Sequence, residues 1–297
     1  EYLSIGPRSP HTSMWMRDIL RKEELPGIQK LNSAKYFPYR YGHAVWAYIT
    51  GRWGDQTVAS ILKRAGRSGD YRTAIKEVTG EDVKEISKEW HSSLRQAYQP
   101  VQQRTLMVDQ LSKALIPGTR ENPLNVSPSL SPDGKSMVFL SSKDLFSIDL
   151  FLADAETGEF KRKLVSTAVN PHFSSLQFIK SAGSWDFEGR RFVFGAVSKG
   201  DPVLSILEIP SGDKIREIKF KELGEILNPS WSPDGQSIVF SALDGGFSNL
   251  FLYDLETEKL TKLTDDAFAD LYPVWSPDGS RIAFSTDRFS TDLALMD

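Results

Sequence analysis

Apolar residues recur at every third or fourth position through the first third of the chain, which is the spacing of one face of an α-helix. This pattern predicts an all-α bundle of about five helices over residues 1–98. Side chains on the apolar faces of these helices are expected to form one core. The residues expected in that core are Trp46, Ile61, Leu62, Ile75, Ile86, Trp90 and Leu94.

Residues that suit helix ends set the expected boundaries inside this bundle. Thr12 or Ser13 is suited to the N-cap of an early helix, and Asp70 to the N-cap of a later one, because their side-chain oxygens can accept from free backbone N–H groups. Gly66 is expected to end the helix between them. Residues 99–104 are polar on all sides, so we expect a linker there and a new domain from residue 105.

From residue 105 onwards the apolar positions alternate with polar ones, and short runs of β-branched and aromatic residues lie between turns. One turn sequence, Ser-Pro-Asp-Gly, occurs at Ser131–Gly134, Ser232–Gly235 and Ser276–Gly279. A degenerate copy occurs at Ser184–Gly189. Proline presets the first corner, aspartate bonds to nearby backbone and glycine accepts positive φ, so each copy predicts a β-hairpin. The structural turn residues are Asp133, Gly134, Asp234, Gly235, Asp278 and Gly279.

The residues flanking these turns also repeat. Strand positions after each turn align in two columns, and a proline followed by an apolar or aromatic residue precedes each turn. With a third and a fourth strand in each unit, the repeat of roughly 40 to 50 residues is typical of a propeller blade. The sequence therefore predicts an N-terminal helical bundle followed, over 105–297, by a partial β-propeller of about four four-stranded blades. The aligned positions are Met137, Phe192, Ile238 and Ile282; Phe139, Phe194, Phe240 and Phe284; Pro128, Pro171, Pro229 and Pro273; and Leu130, Phe173, Trp231 and Trp275.

Two further features of the repeats are candidates for chemistry. His172 follows the repeated proline, where the other units have serine or valine, and is either a ligand-binding residue near the propeller axis or an ordinary blade residue. Asp265, Asp266 and Asp270 form an acidic stretch between two units, and we expect it to be a solvated turn.

Composition excludes several classes of function. The net charge of −3 does not provide the positive excess that nucleic acid or an anionic membrane surface attracts. The chain has no cysteine, so disulfides and thiol catalysis are excluded. No apolar run approaches the roughly 20 residues of a membrane-spanning helix. The chain begins without methionine, and we interpret it as a fragment of a longer protein.

The repeats resemble TolB-like propeller repeats, a WD40-like class, through the Ser-Pro-Asp-Gly turns and the Pro-x-Trp-Ser sequences at Pro229–Ser232 and Pro273–Ser276. This resemblance covers roughly residues 105–297. It implies a propeller that serves as a protein-binding platform, gate or scaffold, with a protein or peptide as its partner.

The helical part resembles the C-terminal part of a peptidase MA-like, gluzincin-type metallopeptidase domain. The resemblance rests on Glu1–Ser4, Met14–Asp18, Tyr39–Gly42 and Glu89-Trp90. It implies a bacterial periplasmic or secreted protein and zinc as a cofactor of a longer parent. It also implies that Tyr39 or Tyr41 stabilises a tetrahedral intermediate there, the alternative being a packed aromatic residue at a helix start.

This chain lacks the His-Glu-x-x-His sequence that binds catalytic zinc, so we predict no metal site and no cofactor in the chain itself. We expect an interaction or scaffold propeller attached to a catalytically incomplete, peptidase-like helical domain. The alternative is the C-terminal portion of a secreted zinc metallopeptidase whose propeller presents or restricts the substrate.

The last repeat stops after its third strand, and segment 105–116 resembles the pattern of an outer strand. About half a propeller ring would leave apolar blade faces and strand edges uncovered. We therefore expect the remaining blades to come from the rest of the polypeptide or from another chain.

Overall fold

The computed structural model describes residues 2–33, 35–120, 122, 124–144, 147–166, 175–176, 183–288 and 293–296. The chain divides into two compact units, Glu1–Ser112 and Lys113–Asp297. The first unit is helical and the second is built from β-strands, as the sequence predicts. The helices of the first unit are α1 (Tyr2–Ile5), α2 (Pro10–Arg21), α3 (Pro38–Trp53), α4 (Gln56–Ser68), α5 (Tyr71–Thr79), α6 (Val83–Arg104) and α7 (Val108–Leu111), with a 3₁₀ turn at Ile28–Lys30.

Local chemistry at the helix ends corrects two predicted boundaries and confirms a third. Helix α2 is capped by Ser9, not Thr12 or Ser13, because the Ser9 side chain accepts from the Thr12 N–H and proline occupies the first helical position. Gly66 does not end α4, which continues to Gly69, where the backbone adopts the left-handed conformation. Asp70 caps α5, as predicted.

The predicted linker, residues 99–104, is helical instead. Helix α6 continues through Arg104 although Pro100 lies inside it. Proline removes one backbone N–H, and side-chain bonds stabilise the turn that follows: Arg104 Nε donates to the Pro100 carbonyl and Thr105 Oγ1 to that of Val101. The boundary between the compact units falls after Ser112, later than the predicted start of the propeller at residue 105.

Most of the predicted helical core is confirmed. Ile61, Ile75, Ile86 and Trp90 are buried, and Trp46 and Leu94 pack partly buried against the same cluster. Leu62 is the exception, since 49% of it is exposed. Neighbouring side chains on a helix point about 100° apart, and α4 directs Ile61 rather than Leu62 inward.

Among its described residues, the second unit contains four antiparallel sheets, called blades 1 to 4 in chain order. Blades 1 to 3 have their strands in sequence order, and blade 4 has three strands within the described residues. Blade 1 comprises β1 (Asn125–Leu130), β2 (Ser136–Ser141), β3 (Asp149–Asp154) and β4 (Phe160–Val165). Blade 2 comprises β5 (Ser175–Leu176), β6 (Ser184–Trp185), β7 (Arg191–Ser198), β8 (Asp201–Glu208) and β9 (Lys214–Lys219). Blade 3 comprises β10 (Ile226–Trp231), β11 (Ser237–Asp244), β12 (Phe247–Asp254) and β13 (Leu260–Lys262), and blade 4 comprises β14 (Asp270–Trp275), β15 (Ile282–Thr286) and β16 (Leu293–Met296).

Neighbouring blades share hydrophobic cores. Phe192 and Phe194 of β7 belong to a cluster with blade 1, whereas Val193 between them belongs to a cluster with blade 3. This alternation is the two-residue period of a strand, so both faces of blade 2 are buried. The approach is close at Gly195, where an added Cβ would lie 2.6 Å from the Ile226 carbonyl oxygen.

The first strand of blade 2 corrects the predicted alignment. Ser184 and Trp185 pair with Val193 and Phe192 in the same register that Ser230 and Trp231 use with Val239 and Ile238. The positions assigned to His172 and Phe173 therefore belong to Ser184 and Trp185, and the proline column assigned to Pro171 falls on Gly183. Strands β5 and β6 both pair with β7, and the chain between them is longer than the short bulge that blades 1 and 3 have at the same place. This extra length displaced the alignment. His172 lies outside the described residues.

Segment 105–116 is not an outer strand. It contains α7, whose first turn is closed locally by the Gln110 side chain accepting from the Met107 N–H. Farther along, Ile116 packs against the cluster of Met137, Phe139 and Phe151. The expectation that this apolar face of blade 1 is uncovered is therefore wrong, since the three residues are at most 8% exposed.

Candidate functional site

The blades present two edges with different chemistry. One edge, here called the turn edge, carries the Ser-Pro-Asp-Gly turns. In each turn the serine Oγ donates to the aspartate Oδ1, at 2.6 Å in Ser131–Asp133, 2.5 Å in Ser232–Asp234 and 2.6 Å in Ser276–Asp278. The following glycines have φ of 70°, 68° and 71°. The serine and the aspartate of each turn bond to each other, so the aspartate carboxylates are already engaged in closing the hairpin. The glycines concerned are Gly134, Gly235 and Gly279.

Acid titration is expected to weaken the turn of blade 4. Hydrogen bonds from Ser276 and from the backbone and side chain of Ser280 lower the pKa of Asp278 from 3.8 to about 2. A carboxyl with a depressed folded-state pKa stabilises the fold above its unfolded value, so this contribution is present above pH 3.8 and is lost as the pH falls through about 2. A carboxyl-carbon NMR titration should place the Asp278 midpoint near 2, and Asp278→Asn should reduce the acid sensitivity; a midpoint near 4 would contradict the prediction.

Blade 2 closes its turn with different residues. Asp186 replaces the turn serine, is 2% exposed and accepts from the backbone N–H groups of Arg190 and Arg191. The Arg191 guanidinium donates from Nε to Asp186 Oδ2 at 2.8 Å, lies 4.3 Å from the centroid of the Trp231 ring and donates to the Gly235 carbonyl. Arg191 thus ties blade 2 to the turn of blade 3. Sequence reasoning missed it, although an aspartate in the serine position followed by arginine five residues later was a usable signal.

The opposite edge, here called the cluster edge, carries three ionic clusters within the described residues. Each holds one cationic side chain between two aspartates, so among the described members of each cluster the carboxylates outnumber the cation. The clusters lie on blade 1, on blade 3 and at the start of blade 4. Their members are Lys163 with Asp144 and Asp149, Lys262 with Asp244 and Asp265, and Arg288 with Asp266 and Asp270.

In the blade 1 cluster a buried carboxylate fixes the cation. Lys163 Nζ lies 3.0 Å from Asp149 Oδ2, and the Asp149 side chain is 1% exposed. Lys163 also contacts Asp144, whose side chain is 45% exposed. The hydrogen bond to Asp144 is the largest cause of the raised Lys163 pKa. One aspartate therefore anchors the lysine while the other faces solvent.

The blade 3 cluster repeats this arrangement at the surface. Lys262 Nζ lies 2.8 Å from Asp244 Oδ2 and also contacts Asp265, whose side chain is 82% exposed. The hydrogen bond to Asp244 is the largest cause of the raised Lys262 pKa. Lys262 pairs with Phe251 as Lys163 pairs with Phe151, so the two lysines have the same position in their blades.

The cluster at the start of blade 4 is the most buried. Arg288 donates to both oxygens of Asp270, at 2.7 and 2.9 Å, and also contacts Asp266. The Asp270 side chain is 0% exposed. Phe268 and Phe284 flank the guanidinium, with centroids 5.5 and 5.9 Å away. The expectation of a solvated acidic turn is wrong for Asp270, because it starts strand β14, where pairing with Thr286 turns its side chain inward.

The first strand of three blades contains the same backbone feature. Ser127, Asn228 and Tyr272 have φ of 53°, 50° and 56°, and each precedes a proline. All three lie at the register shift of a β-bulge. Non-glycine residues with positive φ are uncommon, so three at one repeat position form a shared structural element.

The two tyrosines singled out in the helical part have different environments. Tyr39 is 58% exposed and packs on Phe37. Tyr41 is 5% exposed and lies edge-on to Trp15 and Tyr36, and burial raises its pKa. The structure does not bring them together with a metal site, since the described residues contain no group of three or more His, Asp or Glu side chains suited to a metal ion.

Four-stranded antiparallel sheets that repeat along the chain and share cores face to face define the second unit as a β-propeller-type domain. Its residues 172–292 match the family PD40, the TolB beta propeller domain. The chain thus contains a TolB-like propeller domain. The match lies entirely in the second unit, so the gluzincin-like character of the helical unit stays a prediction.

Relatives and solved structures agree with this assignment. Over 84 residues the chain is 34% identical to the Tol-Pal system protein TolB of Francisella tularensis subsp. mediasiatica (strain FSC147). This match covers 27% of this chain and 19% of that protein. The same protein of strain SCHU S4 matches at 34% over 84 residues and 18% of its length. The chain therefore spans about a fifth of these relatives. The structure of putative TolB from Agrobacterium tumefaciens matches with a TM-score of 0.50 and 20% identity, covering 61% of this chain and 64% of that one, and supports the fold alone.

Within the described ranges, no helix combines the length and the apolar character needed to cross a bilayer.

Proposed function

We propose that this chain is a protein-interaction module whose cluster edge binds a basic segment of a protein or peptide partner. The observation that carries the proposal is the repetition of one arrangement, a cation held between two aspartates, on three blades. Two aspartates face one cation among the described members of each cluster, and a basic segment is the complementary partner.

The clusters are suited to recognition because their charges are fixed before a partner arrives. Asp149 and Asp270 are buried and anchor the cations of two clusters, so the exposed aspartates have defined positions. Asp144 and Asp265 remain accessible, with side chains 45% and 82% exposed. A partner that pairs with preorganised charges loses less conformational entropy in the interface itself. Complementary charge also accelerates association and sets the orientation of the partner.

The wider setting is part of the same proposal. Similarity to bacterial Tol-Pal system proteins supports a periplasmic location. The remaining blades of the ring would come from the rest of the polypeptide or from another chain. The helical unit would be a peptidase-like remnant, and zinc would belong to a part of the parent outside this chain.

The test measures binding of a short oligolysine peptide to the full chain by fluorescence anisotropy. Replacing Asp144 and Asp265 together by asparagine should weaken binding about two- to thirtyfold, because two exposed charges at about 0.2–1 kcal/mol each contribute about 0.4–2 kcal/mol. Added salt should weaken binding to the parent chain and should have less effect on the double variant. Both substitutions leave the buried partner Asp149 in place, so the fold should be retained.

Asp213→Asn provides the matched control, because Asp213 is exposed at the turn between β8 and β9, on the turn edge. It removes one negative charge from the other edge, as Asp144→Asn alone does from the cluster edge, and should leave the affinity nearly unchanged. Equal weakening by Asp213→Asn and by Asp144→Asn alone would show that only net charge matters. That result would rule out the cluster edge as the binding surface.

A further inference from the structure

The helical unit contains a polar cavity of about 550 Å³. Cavities that bind small molecules have volumes of roughly 300–1,000 Å³, so this one is large enough for a ligand. One wall is formed by the end of α2 and the residues that follow it. The other wall is one face of α6, whose lining residues are spaced four and three positions apart. The lining residues are Leu20, Glu23, Leu25, Arg95, Gln99 and Gln102.

Glu23 contributes a carboxylate to this lining from a position that is unfavourable for a glutamate. It follows the C-cap of α2 with φ of 55°, in the left-handed region that favours glycine. The Glu23 N–H donates to the Leu20 carbonyl and the Glu24 N–H to that of Ile19, so the backbone is held in this conformation. Glu23 also follows the negative end of the α2 dipole, where an anion is disfavoured. A glutamate here therefore lowers stability unless a bound cation compensates.

Neither charged group of the lining is neutralised in the part of the chain that the structure describes. Glu23 and Arg95 are exposed, and no ion pair or side-chain hydrogen bond joins either of them to another described residue. The residue before Glu23, Lys22, pairs with Asp18 instead. The cavity thus presents one carboxylate and one guanidinium that are both available to a ligand.

The other lining residues add hydrogen-bonding groups and apolar surface without further charge. The carboxamides of Gln99 and Gln102 can each donate and accept. Leu20 and Leu25 are half-buried and offer apolar contact. A ligand with a single charge would leave one of the two lining charges unmatched. The complementary ligand therefore carries both a positive and a negative group.

We propose that this cavity binds a small zwitterionic molecule with an ammonium group and a carboxylate, which are the charged groups of a free amino acid and of a short peptide. The ammonium pairs with Glu23 and compensates for its unfavourable position. The carboxylate pairs with Arg95, whose guanidinium can donate two parallel hydrogen bonds. The apolar part of the ligand packs on Leu20 and Leu25.

The test titrates leucine, leucylglycine and leucylglycylglycine into the full ¹⁵N-labelled chain and follows the side-chain amide resonances of Gln99 and Gln102 by NMR. The three ligands share one side chain and increase the distance between ammonium and carboxylate, so they distinguish a free amino acid from a short peptide. We expect saturable shifts, with one member of the series binding most tightly.

Blocked forms of that member test whether both charges are recognised. The N-acetyl form lacks the ammonium and the C-terminal amide lacks the carboxylate, so each should bind about two- to fivefold more weakly. Equal binding of the zwitterion and both blocked forms would overturn the proposal, because apolar contact alone would then explain it. The absence of any saturable shift would also overturn it.

Substitutions of Glu23 separate ligand binding from stability. Glu23→Gly removes the carboxylate and suits the left-handed backbone, so it should weaken binding about two- to fivefold without lowering the melting temperature. Glu23→Gln should have the same two effects, because it removes an anion from the end of α2. Glu24→Gln is the matched control, since Glu24 pairs with Lys35 and neither residue lines the cavity. It should leave binding unchanged.

Two outcomes with these variants would contradict the proposal. A lower melting temperature of Glu23→Gln would show that Glu23 pairs with Arg95 in the protein without ligand. Unchanged affinity of Glu23→Gly would show that the carboxylate does not contact the ligand. Arg95→Gln should weaken binding of the zwitterion and leave that of its C-terminal amide unchanged, because the amide offers no carboxylate to Arg95; equal weakening of both would rule out the proposed contact.

Discussion

Replacing Trp90 by alanine is expected to lower the free energy of unfolding of the helical unit by about 3–5 kcal/mol. Trp90 is 0% exposed and belongs to the central cluster of that unit. Removing its ring takes away buried apolar area and leaves a void that helices on several sides cannot fill. Chemical denaturation followed by circular dichroism at the helical band measures this unit, because the propeller contributes little helical signal.

Leu62→Ala is the control for this prediction. Leu62 was also expected in the core, but it is 49% exposed, so its truncation should cost much less than the loss of Trp90. A small loss for Trp90→Ala would mean that the unit collapses around the missing ring. A large loss for Leu62→Ala would mean that its exposed face is covered in solution.

Replacing Asp270 by alanine is expected to destabilise the start of blade 4 by about 2–4 kcal/mol. The substitution leaves Arg288, whose side chain is only 21% exposed, without its bidentate partner. Contacts with Asp266 and Thr286 remain, so the loss should stay below that of a fully buried, unpaired charge. Hydrogen–deuterium exchange of peptides covering β14 and β15 measures the effect as faster local opening.

Asp265→Ala tests whether burial, rather than charge, causes this loss. Asp265 also contacts a cation, Lys262, but its side chain is 82% exposed. Exposed ion pairs contribute about 0–1 kcal/mol, so exchange in blade 3 should change little. Similar effects of the two substitutions would contradict the anchoring role of Asp270.

The propeller fold could be predicted because the sequence features that specify it are local and occur in every repeat. Each Ser-Pro-Asp-Gly turn forms its own hydrogen bonds, and the alternating columns fix the register of the hairpin beside it. Phe139 and Phe240 accordingly pair with Phe151 and Phe251, as equivalent positions should. The same reasoning failed in blade 2, where a longer connection displaced the alignment from Phe173 to Trp185.

The ionic clusters could be predicted only in part because their members come from different strands. Asp265, Asp266 and Asp270 were visible as an acidic stretch, but their cations were not. Arg288 lies beyond a hairpin from Asp270, and only the pairing of β14 with β15 brings the two side chains together.

The bulge in the first strands of blades 1, 3 and 4 has a consequence for the history of the molecule. Its central position holds a hydroxyl side chain in Ser127, an amide in Asn228 and a phenol in Tyr272, yet the backbone bends in the same way each time. If the blades arose by duplication of one ancestral segment, the copies retained a conformation while the side chain at its centre diverged. What the copies retained at this position is then the backbone conformation and the proline that follows, not the identity of the residue.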